Sequence, residues 1–237
     1  MRRTIRRVVR KTGFRRQIAP TFVEVMHNRR IDVVIDIGAN DGDFGREIRD
    51  EGYRGRIVSF EPNPGAHARL CKAIAHDPLW EAHQLGAGDV AGELTLSISN
   101  ADVLSSFKSV NAFGAGSVHS SEAATARVKV VRLDDFLAGH PDLVSRTYLK
   151  IDTQGFEMEV LRGAGDMLQR MTAVQAELGL IKMYENEEDW LDVVLWMRRQ
   201  GFELGTAICN SAIAEAAQVR EFDFVFVQRP PDRLPTT

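Results

Sequence analysis

Two hydrophobic rhythms alternate along the chain from residue 31 onward. Short, nearly continuous apolar runs such as "IDVVIDI" (31–37), "GRIVSFEP" (55–62), "RTYLKID" (146–152) and "TAVQAELG" (172–179) are patterned as strands covered on both faces. Between them lie segments whose apolar positions recur at the spacing of one helical face. "FGREIRDEGY" predicts a helix ending near Gly52, "PGAHARLCKAIAHD" a helix opened by Pro64, and "FEMEVLRGAGDMLQR" a third. In "EEDWLDVVLWMRRQG", Trp190, Val193, Val194 and Met197 share one face. "WEAHQLG", "GELTLSIS" and "ARVKVVRL" read as further strands. "FELGTAI" and "EFDFVFVQR" close the pattern as strands with no helix between them, hence an antiparallel hairpin at a sheet edge. This alternation specifies an α/β fold, a largely parallel sheet with helices on both faces.

Composition changes that picture little. A chain of 237 residues, 44% hydrophobic and 27% charged, suits one α/β domain with a substantial core. The net charge of −3 gives no global attraction to nucleic acid or membrane, yet the opening "MRRTIRRVVRKTGFRR" is strongly basic. It reads as a solvated helical arm, with peripheral contact to an anionic surface or partner as the alternative. The expected layout is a basic N-terminal helical arm at 1–30, the domain at 31–229 and a loose tail, "PPDRLPTT", at 230–237. Cys71 and Cys209 have neither disulfide-framework nor metal spacing, which favours a reducing, cytoplasmic setting. No run approaches the roughly 18 apolar residues of a membrane span, and the basic start lacks the apolar core of a secretion signal.

Candidate chemistry concentrates in "VVIDIGANDGDFG" (33–45), the turn from the first strand into the first helix. In open parallel sheets such a turn lies at the carboxyl end of the strands, where ligands bind, and glycines let a ligand approach the backbone. Gly38 and Gly42 form G-x-x-x-G, not the dinucleotide G-x-G-x-x-G, and Asp36, Asp41 and Asp43 repel phosphate while welcoming a cation. S-adenosylmethionine carries a sulfonium and an ammonium. Glu61, at the end of the second strand, is placed to accept hydrogen bonds from two ribose hydroxyls, or to cap the helix that follows.

"DIGANDGDFG", "SFEPNP", "RLDDF", "YLKIDTQGFEMEVLRGA", "QAEL" and "GFEL", in this order and spacing, resemble the FkbM-type S-adenosylmethionine-dependent methyltransferases over roughly residues 31–228. The resemblance implies a class I methyltransferase (Rossmann-like) fold, seven strands with a reversed C-terminal hairpin. It also implies O-methylation of a sugar, glycan or natural product. By position it implies that Asp36, Gly38, Asn40 and Gly42 hold the methionine part of the cofactor and Glu61 the ribose. Pro62, Asn63, Gly86 and Ala87 would lie near adenine. Ser105, Ser106 and Phe107 resemble a short family motif that lines the pocket.

Asp152 ends the "YLKI" strand on the same face as Lys150 and is the foremost catalytic candidate. It could accept the acceptor's proton, orient its hydroxyl, or instead hold the cofactor amine or cap the next helix. Glu177 ends a neighbouring strand. The two acids together could orient an acceptor or bind Mg²⁺, but a metal needs more oxygen ligands, so no metal site is assigned. His119 is a candidate base in the long segment 100–125, expected to form a substrate-facing loop, and Tyr184 a candidate acceptor contact. Glu157 reads equally as a dipole-favoured helix-start acid or a functional one. His67, His76, His83 and His140 read as structural, and Trp190 and Trp196 as packing residues. The expected partner is a small-molecule or glycan acceptor, with no nucleic acid. Rival readings are a dinucleotide-dependent oxidoreductase, which should carry G-x-G-x-x-G, and a non-catalytic binding module, which should have lost Asp36 or Asp152.

Overall fold

The computed structural model describes residues 19–99, 105–117, 122–144, 146–213 and 218–229. Helix α1 (Phe22–Asn28) opens on a capping box, with Thr21 and Glu24 each accepting the other's backbone N–H. It leads to β1 (Val33–Ile37), α2 (Asp43–Asp50), β2 (Arg56–Phe60), α3 (Pro64–Ala73) and β3 (Trp80–His83). Asn63 caps α3 through Gly65 N at 3.0 Å, and Pro64 occupies its first turn. Then follow β4 (Gly86–Ala87), β5 (Gly92–Ser99), α4 (Ala112–Ser117), β6 (Glu122–Val131) and α5 (Leu133–Ala138). The second half contains β7 (Thr147–Ile151), α6 (Glu157–Gly163), β8 (Ala173–Gly179), α7 (Trp190–Arg199), β9 (Phe202–Ile213) and β10 (Gln218–Gln228).

Seven strands form one sheet in the order β3-β2-β1-β7-β8-β10-β9, parallel except for β10, which is antiparallel to both its neighbours. The expected hairpin is there: β9 is the outermost strand and β10 inserts between it and β8. Alternation along β1 sends Val33, Ile35 and Ile37 into a core shared with α6 and α7, and Val34 into a second core with α1, α2 and α3. On α7, Val193 and Met197 are buried, with Trp190, Val194 and Trp196 packed beside them and Trp190 stacked on Phe224.

Three elements depart from expectation. The strands at 92–99 and 122–131 do not join the main sheet but pair antiparallel with each other in a three-stranded sheet, order β4-β6-β5. Segment 100–125 is not one loop: α4 forms within it, and β6 starts at Glu122, earlier than "ARVKVVRL" predicts. The helix "FEMEVLRGAGDMLQR" breaks into α6 and a 3₁₀ segment, Gly165–Arg170, because Gly165 turns into the left-handed region at φ 50°. No helix among the described residues is long and apolar enough to cross a membrane.

Candidate functional site

The turn after β1 packs directly on the end of β7. Gly38, at φ 77°, has no room for a side chain, since a Cβ there would lie 1.8 Å from the carbonyl oxygen of Asp152. The N–H groups of Gly38 and Ala39 both donate to Phe60 O, at 2.9 and 3.1 Å, tying the turn to β2. Asn40, also left-handed at φ 49°, donates its N–H to Glu61 Oε2 at 2.7 Å, and Asn63 N donates to Glu61 Oε1 at 2.8 Å. Glu61 is buried. Desolvation lifts its pKa to about 7 against the pull of those two N–H groups.

Beneath the turn runs a polar row. Ser59, Asp36, Lys150 and Gln175 are lateral partners across β2, β1, β7 and β8, and all four are buried. Trp80 Nε1 donates to Ser59 Oγ at 3.0 Å, and Ser59 Oγ donates to Asp36 Oδ2 at 3.3 Å. Lys150 Nζ lies 3.2 Å from Asp36 Oδ1 and 3.5 Å from Asp152 Oδ2, and donates to Gly38 O at 3.2 Å. Burial works against the ammonium, but Asp36 and Asp152 outweigh it and hold the Lys150 pKa above its ordinary value. Burial raises the Asp36 carboxyl, an effect that Lys150 opposes.

Beyond the row lies a second group of acids. Gln154 Nε2 donates to Asp152 Oδ1 at 2.9 Å and to Glu177 Oε2 at 2.8 Å. Asn210 Nδ2, from β9, donates to Glu177 Oε1 at 2.8 Å, and Asp223, from β10, is the lateral partner of Glu177. Burial first, then the charges of Asp152, Glu221 and Asp223, push the Glu177 carboxyl well above the carboxylate range. Burial also raises Asp223, while hydrogen bonds from Asn210 and Gln175 oppose it. Glu157 Oε1 accepts from Thr153 N at 2.9 Å, Thr153 Oγ1 at 3.1 Å and Gly155 N at 3.1 Å, so this acid closes the loop between β7 and α6.

These groups surround a cavity of about 410 Å³. Gly38, Asn40, Glu61, Pro62, Gly86 and Ala87, each predicted to lie near a cofactor, line one side of it. Asp36, Gly42 and Asn63 stand behind that wall. Asp36 belongs to the polar row, Gly42 packs under Leu70 and Trp80, and Asn63 caps α3. Asp152 and Glu177 line the other side with Asn210, Glu221 and Asp223. Ser105, Ser106 and Phe107 also border the cavity, and Phe107 lies over Gly86, where a Cβ would come within 2.8 Å of its ring. Tyr184 is buried behind the wall, its O–H donating to Gln154 Oε1 at 3.1 Å. His119 lies outside the described residues. Among the described residues no group of three or more His, Cys, Asp or Glu is arranged to hold a metal ion. Sequence reasoning missed Gln154, Asn210 and Asp223; a polar residue inside an otherwise apolar β8–β10 pairing was the available signal for Asp223.

Renumbered within the sheet, the strand order is 3-2-1-4-5-7-6 with the seventh strand reversed. With an acid-lined cavity over the strands' carboxyl ends, this defines a class I methyltransferase fold. The family described as Methyltransferase FkbM domain matches residues 36–204, and the chain belongs to that family. It is 30% identical over 145 residues to Methyltransferase 1 of Beauveria bassiana, covering 56% of this chain and 58% of that protein. It is 26% identical over 166 residues to the 2-O-methyltransferase NoeI of Sinorhizobium fredii, covering 65% of this chain and 66% of that protein. The chain thus spans 58% and 66% of the length of these curated relatives. Among solved structures, the methyltransferase domain of a bacterial CtHen1-C aligns with a TM-score of 0.47 and 9% identity, over 88% of this chain and 95% of that one. Fibrillarin of Aeropyrum pernix, with natively bound S-adenosyl-L-methionine, aligns with a TM-score of 0.44 and 12% identity, over 83% and 66%.

Proposed function

We propose that the chain is an S-adenosylmethionine-dependent O-methyltransferase acting on a hydroxyl of a sugar, glycan or glycosylated natural product, with residues 31–229 as its catalytic domain. The cavity suits such a cofactor. Asp41, Asp43, Glu47 and Glu61 line one side of it, the first two paired with Arg46, and Lys150, already paired with Asp36 and Asp152, is its one lining base among the described residues, a balance that favours a cationic ligand. Asn40 and Gly38, the latter packed on the carbonyl of Asp152, would hold the methionine part with Asp36 behind them, and Glu61 retains lone pairs for a ribose diol. Pro62, Gly86 and Ala87 would face adenine.

The observation that carries the reading is the placement of Asp152 and Glu177, joined through one amide, in the same cavity as Glu61. When bound, S-adenosylmethionine supplies an activated methyl group. The chain's part is to position the acceptor hydroxyl and to take its proton as the new C–O bond forms, and we assign that proton to an Asp152 carboxylate oxygen. Glu177, whose carboxyl burial and the neighbouring acids push above the carboxylate range, would help to orient the acceptor beside Asp152. The name of the 2-O-methyltransferase relative supports transfer to oxygen. Incubation with methyl-labelled donor and a panel of mono- and oligosaccharides tests the assignment: a product heavier by one methyl on oxygen is expected, and label on nitrogen or carbon would redirect it.

A further inference from the structure

The two acids of the proposed site are held by a residue in an unfavourable backbone conformation. Gln154 is left-handed at φ 56°, a region that residues with side chains seldom occupy, and Gly155 follows it at φ 90°. That turn sends the Gln154 side chain back across the ends of β7 and β8. Its two N–H donors are both used, one on Asp152 Oδ1 at 2.9 Å and one on Glu177 Oε2 at 2.8 Å. Its Oε1 accepts from the Tyr184 O–H at 3.1 Å, which fixes which end of the amide faces the acids. Its backbone carbonyl accepts from Ser106 Oγ at 2.7 Å. Ser106 also lines the cavity, and its segment is tied down further by Lys108, whose Nζ lies 2.9 Å from Glu159 Oε1 and donates to Asn186 O at 2.8 Å.

Neighbouring carboxylates repel each other, and a lysine or arginine between them would neutralise both. An amide donates to each without adding charge. We propose that Gln154 is a positioning residue that fixes Asp152 and Glu177 as one unit and anchors that unit to Tyr184 and Ser106. The proposal rests on the reading of Asp152 as the group that acts on the acceptor. Glu177 is faced by Asp152 from the end of β7, Asn210 from β9, and Glu221 and Asp223 from β10. The nearby cations are already engaged, Lys150 by Asp36 at 3.2 Å and Arg220 by Glu221 at 3.1 Å. The Gln154 amide and that of Asn210 are thus the neutral donors that steady Glu177.

The test uses the full chain without any acceptor: a ¹³C NMR titration of side-chain carboxyls, with the Glu177 resonance identified by its loss in Glu177→Gln. Gln154→Met keeps the side chain's length but has no donor, and Gln154→Ala removes it. Losing a donor to the charged form should move the Glu177 midpoint up by about one pH unit in both variants. S-adenosylmethionine affinity by calorimetry should stay within about threefold of wild type, since no contact to the donor is removed. On an acceptor that takes up label, Gln154→Met should lower kcat by about 10–10² and lower it no further in an Asp152→Asn background. A wild-type Glu177 midpoint in Gln154→Met overturns the proposal, whether or not stability is lost, because it assigns Gln154 to loop structure alone. Losses that multiply with those of Asp152→Asn overturn it as well. Absence of S-adenosylmethionine binding to wild type would instead defeat the cofactor reading, while the Glu177 titration still answers for Gln154.

Discussion

Glu61 uses one carboxylate for two purposes, and that shapes how it should be tested. Both of its oxygens already accept backbone N–H groups, from Asn40 and Asn63, so it organises the turn as well as facing the cavity. Glu61→Ala should therefore lose stability by orphaning those donors, and should weaken S-adenosylmethionine binding by more than about a hundredfold if two charge-assisted bonds to ribose go with it. Calorimetry on folded mutant reads the second effect, and unchanged affinity would remove Glu61 from the donor site. Glu157 gives a pH signature. Burial, against bonds from its own and the Thr153 N–H groups, raises it from 4.5 to about 7, as Glu61 is raised. Between those values the unfolded chain releases protons that the fold keeps, so each acid's contribution is present below about pH 4.5 and is lost as pH rises through about 7. Glu157→Gln should flatten the decline of unfolding free energy over that window by roughly 3 kcal/mol, at 1.36 kcal/mol per pKa unit, in denaturant titrations at several pH values. A slope equal to wild type would mean that Glu157 ionises freely. Asp36, Glu61 and Asp152 stood out as candidates because each is an acid in or at the end of an apolar run, and the structure places Glu61 and Asp152 at the cavity and Asp36 in the buried row beneath it. Lys150 looked like an ordinary strand residue, since its partner Asp36 is a lateral neighbour on another strand, and lateral register is not written in either segment.

Parallel central strands were the most legible elements, as burial on both faces leaves a continuous apolar run with no competing pattern. The strands at 92–99 and 122–131 were read as strands but not as a separate sheet, because sheet membership depends on which distant strand they meet. β9 runs to Ile213, well past "FELGTAI", since its pairing with β10 passes through register shifts that break the alternation. The site's geometry depends on how closely α6 approaches the turn after β4. A Cβ at Gly163 would lie 1.9 Å from Gly88 O, so the helix and the turn touch through backbone. Gly163→Ala should cost about 2–4 kcal/mol in chemical denaturation, as overpacking against backbone has no flexible side chain to absorb it. A loss within about 0.5 kcal/mol would show that α6 shifts freely, as surface substitutions do.

At the scale of the whole molecule, the cavity is a junction of strand ends. β1 and β2 contribute the side with Gly38 and Glu61, and β7, β8, β9 and β10 contribute the side with Asp152, Glu177, Asn210 and Asp223. Ser105, Ser106 and Phe107 add to the lining, and the segment that follows is pinned by backbone bonds from Asn111 N to Met183 O at 2.9 Å and from Glu185 N to Ser109 O at 2.8 Å. With its carboxylates engaged by Lys150, Gln154 and Asn210, the site should turn over in EDTA; complete loss restored by Mg²⁺ would show a metal role for Asp152 and Glu177. Asp152, as proposed above, acts on the acceptor and not on the donor. Steady-state kinetics of Asp152→Asn, run across donor concentrations with a methylated sugar as product, tests it most directly. The expected result is a fall in kcat at saturating donor by about 10²–10⁴ with little change in the donor KM. A kcat close to wild type with a sharply raised donor KM would contradict it and return Asp152 to the binding of the cofactor's ammonium.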